Sequence, residues 1–289
     1  MAITRVNTTT INAVFNTNPL IITIPATGTG NLIVLLLNHE AASNTNTIYT
    51  TSVTDNAGNV YQAVPNTLQL DNTTQGSSTE VWYAANSISG ATIVTITCNM
   101  TIDIDHSIIV EYSGVALISP ILDGQHAEST GTASLGPVLT TSDPNALLVT
   151  LIYKALHNVS GVTTPWDALP YADSNFVELI APGTTGTYQA VFTPPQTDLY
   201  LTSGAVFSSI SSPSPLILNL SDSVSLVDSL SPSFNLSQNL SDSISVSDSA
   251  PQAFSVQSDF LVPVGIPTVE MLVNQLVPAH VKTYFRIQE

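Results

Sequence analysis

From Leu216 to Ala250 apolar and polar residues alternate almost one for one. Even positions carry Leu218, Leu220, Val224, Leu226, Leu230, Phe234, Leu236, Leu240, Ile244 and Val246, with Asp222, Asp228, Asp242 and Asp248 in the same phase. Odd positions are Ser or Asn, except Ile217 and Val227. Side chains alternate between two faces along an extended strand, so the pattern predicts β-structure. The segment Asn219-Leu220-Ser221-Asp222-Ser223 returns as Asn239-Leu240-Ser241-Asp242-Ser243, a repeat of 20 residues. Fully extended, the stretch would reach about 110 Å at ~3.3 Å per residue. A lone ribbon of this kind is marginal in water, so its apolar side must close on copies of itself or on a neighbouring surface. The expectation is a β-stalk in a homo-oligomer, a trimer by preference. The alternative is a Ser/Asp-rich linker without fixed structure, which has no need of strict alternation.

Before the stalk, residues 1–210 show many short apolar-polar runs separated by turn chemistry. The predicted strands are Ile3–Val14, Leu20–Ile24, Leu32–Leu37, Thr47–Thr54, Thr79–Ala84, Ala91–Cys98, Ser107–Ser113, Ala146–Tyr153, Thr187–Phe192 and Leu199–Phe207. PATGTGN, TDNAGN, DNTTQGSS, SISG, DGQ, APGTTG and TPPQTD are the turn and loop signals between them. Leu32–Leu37 and Leu147–Ile152 are apolar almost throughout, as in strands covered on both faces. No amphipathic helix of ordinary length is predicted here. The fold class is therefore all-β, an antiparallel sandwich of jelly-roll kind. After it, SSPSP (211–215) opens the stalk, and Pro232 marks an edge or bend between its two repeats.

From Phe260 the pattern changes once more. Pro267 suits the first turn of a short helix whose apolar face is Val269, Leu272, Val273 and Leu276. Pro278 stops it, and VKTYFRI then alternates as a strand. The expected organisation is a sandwich over 1–210, a stalk over 211–255 and a small helix–strand unit over 256–289.

Charge narrows the function classes. The formal net charge is −17, chiefly because Arg5, Lys154, Lys282 and Arg286 are the only basic residues apart from histidines. Nothing in so acidic a chain offers a phosphate backbone a cationic surface, which excludes nucleic acid as an expected partner. An anionic membrane is disfavoured for the same reason. Charged residues are only 9% against 43% hydrophobic, so Thr, Ser and Asn supply the surface polarity. The sole cysteine, Cys98, allows no disulfide within the chain and reads as a small buried apolar residue. MAITRVNTTTINAVF has no apolar leader core, and GNLIVLLLNHE is far too short to cross a bilayer, so neither export signal nor membrane span is predicted.

The order GNLIVLLL, SVTDNAGNVYQ, STEVWYAAN, ATIVTITC, SIIVEYSGV, PILDG and NALLVTLIY, over roughly 20–210, resembles a β-sandwich module common in phage tail and bacterial extracellular proteins. Asp55, Gly58 and Asn59 match its hairpin, Trp82 and Tyr83 its aromatic strand, and Glu111, Tyr112, Ser113 and Gly114 its central strand. Asn145-Ala146-Leu147-Leu148 stands where that module has an acidic "NELL". The resemblance implies a structural or carbohydrate-facing module without defined catalytic residues. The last thirty or so residues resemble the "L…L.PAH…F" segment of phage baseplate proteins of the tail-assembly class, through Leu276, Pro278, Ala279, His280 and Phe285. A docking unit is implied, built on Leu272, Leu276, Pro278, His280 and Phe285.

Candidate chemistry is sparse. His39-Glu40, Asp103-Ile104-Asp105-His106 and Asp123-Gly124-Gln125-His126-Ala127-Glu128 hold the acids and histidines a hydrolase would need. Two carboxylates must face each other across a glycosidic bond, and spacing alone does not supply that. No nucleophile elbow, zinc-protease helix or phosphate loop is present, so no enzyme is expected. Asp55-Asn56-Ala57-Gly58-Asn59 reads as a hairpin turn, with Ca²⁺ ligation the alternative. Asp222, Asp228, Asp242 and Asp248 would form carboxylate rings in a parallel trimer if they face inward, requiring Ca²⁺, raised pKa values or water. In the other arrangement the Ser-Asp-Ser units are turns facing solvent. Trp82, Tyr83, Trp166 and Tyr171 are candidate glycan-stacking residues, with core burial as the alternative. Repeated Asn-x-Ser/Thr motifs are assigned no glycosylation role.

These readings converge on an expectation: a non-enzymatic structural part of a phage virion, a tail-fibre or baseplate-associated homotrimer. It would need no cofactor beyond Ca²⁺ in the stalk. Its partners would be itself, other virion proteins and host surface polysaccharide, without nucleic acid or membrane insertion. It would be assembled in the host cytoplasm and released by lysis. The alternatives are a capsid decoration fibre or a carbohydrate-binding cell-surface adhesin.

Overall fold

Each of two long antiparallel ribbons, folded over on itself, makes one half of the body. This computed structural model describes residues 2–210, apart from 42–46, 72–75, 132, 154–158 and 172–174. The stalk aspartates Asp222, Asp228, Asp242 and Asp248, and the docking residues Leu272, Leu276, Pro278, His280 and Phe285, lie outside the described residues. What is described is all-β, in several antiparallel sheets, with no helix.

The first half contains β1 (Thr4–Thr17), β2 (Leu20–Thr23), β3 (Leu32–Ala41), β4 (Thr50–Asp55), β5 (Gln62–Ala63), β6 (Gln69–Leu70), β7 (Ser77–Ala84), β8 (Ile93–Cys98) and β9 (Ile102–Ser113). Its pairings nest. Thr4 lies opposite Ser113, Leu20 opposite Ile96 and Ile33 opposite Ala84, so each step forward on one arm is matched by a nearly equal step back on the other. Folding this ribbon gives a six-stranded sheet ordered β1-β9-β3-β7-β5, with β6 also on β7, and a three-stranded sheet ordered β2-β8-β4.

The second half repeats the plan with β10 (Ile121–Gly131), β11 (Ser134–Leu135), β12 (Leu139–Thr141), β13 (Leu147–Tyr153), β14 (Asp167–Ala168), β15 (Phe176–Ile180), β16 (Gly186–Tyr188), β17 (Val191–Phe192) and β18 (Asp198–Phe207). Here Ile121 faces Phe207, Ser134 faces Phe192, Leu139 faces Tyr188 and Leu147 faces Ile180. Its large sheet runs β10-β18-β13-β15-β14, the order of β1-β9-β3-β7-β5 strand for strand. Even the bulge recurs: the ladder slips between Arg5 and Asn7 in β1 and between Ile121 and Asp123 in β10, each one residue past the partner of Tyr112 or Phe207.

The packing explains the two apolar strands. Ile33, Leu35 and Leu37 fill the interior of the first half with Val94 and Ile96 of its small sheet. Leu32, Val34 and Leu36, on the opposite face of β3, pack against Leu147, Val149 and Leu151 of β13 in a core shared by the halves. Leu148 and Ile152 turn the other way, to Trp166, Phe192 and Tyr200 inside the second half. Both central strands are thus buried on both faces, which selects unbroken apolar runs over alternation.

Three expectations change. Thr187–Phe192, expected as one strand, is divided between β16, which pairs with β12, and β17, which pairs with β11. The sequence Asp123-Gly124-Gln125, expected as a loop, lies within β10. It passes so close to the first half that a Cβ on Gly124 would sit 2.4 Å from the Pro65 carbonyl oxygen, which is why glycine occupies a strand interior. The Asp55–Asn59 turn is not a hairpin. β4 belongs to the small sheet and β5 to the large one, so the turn is a corner between layers.

Candidate functional site

Two of the residues that the sequence brings forward, Glu40 and His106, take part in a polar group at one end of the seam between the halves. Glu40, near the end of β3, accepts a short hydrogen bond from the Tyr153 hydroxyl at the end of β13. The His106 ring on β9 lies 5.7 Å from the Tyr153 ring at 31°. Its Nδ1 is 3.2 Å from the Tyr171 oxygen, and the Tyr171 hydroxyl donates to the Ile11 carbonyl at 3.1 Å. With that proton given to Ile11, the Tyr171 oxygen is left to accept from His106 Nδ1. Tyr171 also sets its edge on Phe176, 4.8 Å between centroids. A carboxylate, two phenols and an imidazole drawn from both halves thus tie the halves together at this end, Tyr153 to Glu40 and His106 to Tyr171 by hydrogen bonds and His106 to Tyr153 by ring contact.

A further run of polar contacts lies within the first half. His39 is fully buried, its Nε2 2.9 Å from Thr50 Oγ1. Thr50 N donates to Glu80 Oε1 at 2.6 Å, and Trp82 Nε1 donates to Glu80 Oε2 at 2.7 Å. Asp103 is half-buried nearby in β9. Among the described residues no group of three His, Cys, Asp or Glu side chains could hold a metal ion.

At the opposite end of the seam stands a second charged group. Arg5 pairs with Glu178 Oε1 at 3.0 Å, and the Tyr112 hydroxyl donates to Glu178 Oε2 at 2.6 Å. Burial raises the Glu178 pKa above the ordinary carboxylate value, although Tyr112 and Arg5 both pull it down. Tyr112 is raised well above an ordinary phenol, by burial first and then by the Glu178 charge. In the repeat the equivalent positions are apolar: Ile121 and Phe207 replace Arg5 and Tyr112 by register, and Phe207 packs against Tyr83 with centroids 5.7 Å apart.

Glu111 serves as a clamp. Its Oε1 accepts from Gly28 N at 2.7 Å and Asn31 Nδ2 at 2.6 Å, its Oε2 from Asn7 Nδ2 at 2.8 Å. It borders a cleft of about 10 Å³ between Thr9, Ile24 and Thr27, room for roughly one water.

Asp55 is committed to its own corner. Oδ1 accepts the Ala57, Gly58 and Asn59 amides at 2.9, 2.8 and 3.1 Å, and Oδ2 accepts Asn59 Nδ2 at 2.6 Å and the Tyr61 hydroxyl at 3.0 Å. Burial opposes the charge, but the donors from Asn59, Tyr61 and Ala57 outweigh it and hold the carboxyl below its ordinary value. Gly58 takes the left-handed conformation, φ 85°, that the turn demands. The Asp123 carboxylate is bound to Gly124 N, Gln125 Nε2 and Thr140 N. His126 Nδ1 lies 2.8 Å from the Asn66 carbonyl, and Glu128 accepts from Gln69.

The four candidate stacking aromatics are dispersed. Trp82 packs partly buried inside the first half, Tyr83 in the shared core, and Trp166, 4% exposed, inside the second half. Tyr171 rests half-buried on the shared core. Nothing local in the sequence marks Tyr153, Glu178 and Tyr112 as site residues, because their partners are distant in sequence, 113 positions for Tyr153 and Glu40.

No family model, curated protein or solved structure matches the chain.

Proposed function

We propose that the protein is a structural component of a phage particle, a homo-oligomeric tail-fibre or baseplate-associated part. The alternating stretch Leu216–Ala250 with its 20-residue repeat carries this reading, because a one-sided ribbon gains stability by closing on sister chains. In this reading residues 211–255 form the trimeric stalk, 256–289 a helix–strand unit that docks on other virion proteins, and the body is displayed, able to contact host polysaccharide. The nested pairing of each half, with the first strand beside the last and the second beside the one before it, supports a jelly-roll reading for both ribbons. The way carboxylates such as Asp55 and Glu111 are spent on the protein's own donors supports a scaffold over a hydrolase. Sedimentation of the full chain tests the proposal. A trimer that survives dilution and dissociates when Leu220 and Leu240 are both changed to Asp supports it; a wild-type monomer at all concentrations defeats it.

A further inference from the structure

The described chain leaves the body at one end. Ile210 N donates to the Gly114 carbonyl at 2.8 Å, Ala116 N donates to the Ser208 carbonyl at 3.0 Å, and Val115 bridges Ser209. Beside that exit four large apolar side chains stand in solvent: Val60 (73% exposed), Ile88 (53%), Leu117 (41%) and Ile118 (68%). They are neighbours through the loops that carry them. A Cβ on Gly30 would lie 3.8 Å from Leu117, while Gly30 N donates to the Ser87 carbonyl at 2.8 Å. Ile88 N donates to Asn59 Oδ1 at 2.6 Å, one residue from Val60. The loop and exit segments 24–31, 86–93, 114–120 and 208–210 contain no Asp, Glu, Lys or Arg.

We infer that this apolar end packs against the same end of a second copy of the chain. The inference rests on the reading that residues 211–255 close on sister chains. Two observations select a second copy as occupant. The residues that would tether copies together, 211–289, begin at this end, and tethering raises the local concentration of one patch around another. Copies carrying −17 each also repel, but the carboxylates nearest this end, Asp55, Glu111 and Asp143, are each held on the protein's own donors, and contiguous exposed apolar surface marks faces that copies can bring together.

Disulfide trapping in the full chain tests it. Ile118→Cys probes the patch, and Thr51→Cys, on exposed β4 at the far end of the body, is the control; native Cys98 is buried. Each variant is sedimented reduced, then exposed to oxidised glutathione. An oligomer in which Cys at 118 links copies about tenfold faster than Cys at 51 is the expected result. An oligomer with equal rates overturns the patch and leaves the fibre reading standing, whereas a monomer overturns both.

Discussion

Single carboxylates in this protein are spent on tying loops and halves together, and their titration follows from that. Asp55 and Asp143 are both held below their ordinary value; in each burial acts first, in the opposite direction, and the hydrogen-bond donors win. A depressed carboxyl contributes stability that is present above its unfolded pKa, ~3.9, and is lost as pH falls through the folded value. Glu178 is raised, so the sign reverses: its contribution is full below about pH 4.3 and is lost as pH rises through the folded value. Urea midpoints measured between pH 3 and 7 therefore separate the two. Asp55→Asn should flatten the acid limb and cost about 1 kcal/mol at neutral pH. Glu178→Gln should gain on the wild type as pH rises from 4 to 7, since the amide still accepts from Tyr112; a constant offset would contradict that assignment.

At the scale of the strand, close approach decides what the sequence can place there. A Cβ on Gly124 would meet Pro65 O at 2.4 Å and Val64 Cγ1 at 2.6 Å, so Gly124→Ala must push β10 off the first half. A loss of about 1–3 kcal/mol is expected, read as a lower melting temperature. Gly161→Ala, where nothing lies within 4 Å and φ is ordinary, should stay within about 0.5 kcal/mol. The same contact shows why β10 was illegible. An edge strand that reads ILDGQHAESTG takes its glycine from a neighbour 60 residues away, and locally that glycine signals a turn. β15, Phe176–Ile180, was hidden differently, as a five-residue run buried at nearly every position without alternation. Leu32–Leu37 and Leu147–Ile152, by contrast, were readable as doubly covered strands. Their equivalence was not: the repeat lives in pairing order and in the matched bulges, while the residues at corresponding places, Arg5 and Ile121 or Tyr112 and Phe207, share no chemistry. The polar group of Glu40, Tyr153, His106 and Tyr171 could be read only in part, since its acid and histidine stood out but its phenols depend on tertiary pairing.

For the body as a whole, the shared core determines whether two halves behave as two domains. Leu36 and Leu151 are fully buried in it, one from each half. Polar ties run alongside: Ser203 Oγ donates to the Thr67 carbonyl at 2.6 Å and lies 2.8 Å from Thr79 Oγ1, while Arg5 and Tyr153 reach across to Glu178 and Glu40. A half on its own would expose one entire face of β3 or β13, an apolar surface that no isolated sheet keeps in water. The halves should therefore unfold together. Leu36→Ala and Leu151→Ala should each cost about 2–5 kcal/mol. Native-state hydrogen exchange should then show the loss on both sides of the seam: Leu36→Ala should accelerate the amides of β13 and β18 as much as those of β2 and β8. If the acceleration stops at the mutated half, the repeats are separate cooperative units and the shared core is only a contact between them. If it spreads, the ribbon was stable only as a pair, and the duplication seen in the strand order is what lets either copy fold.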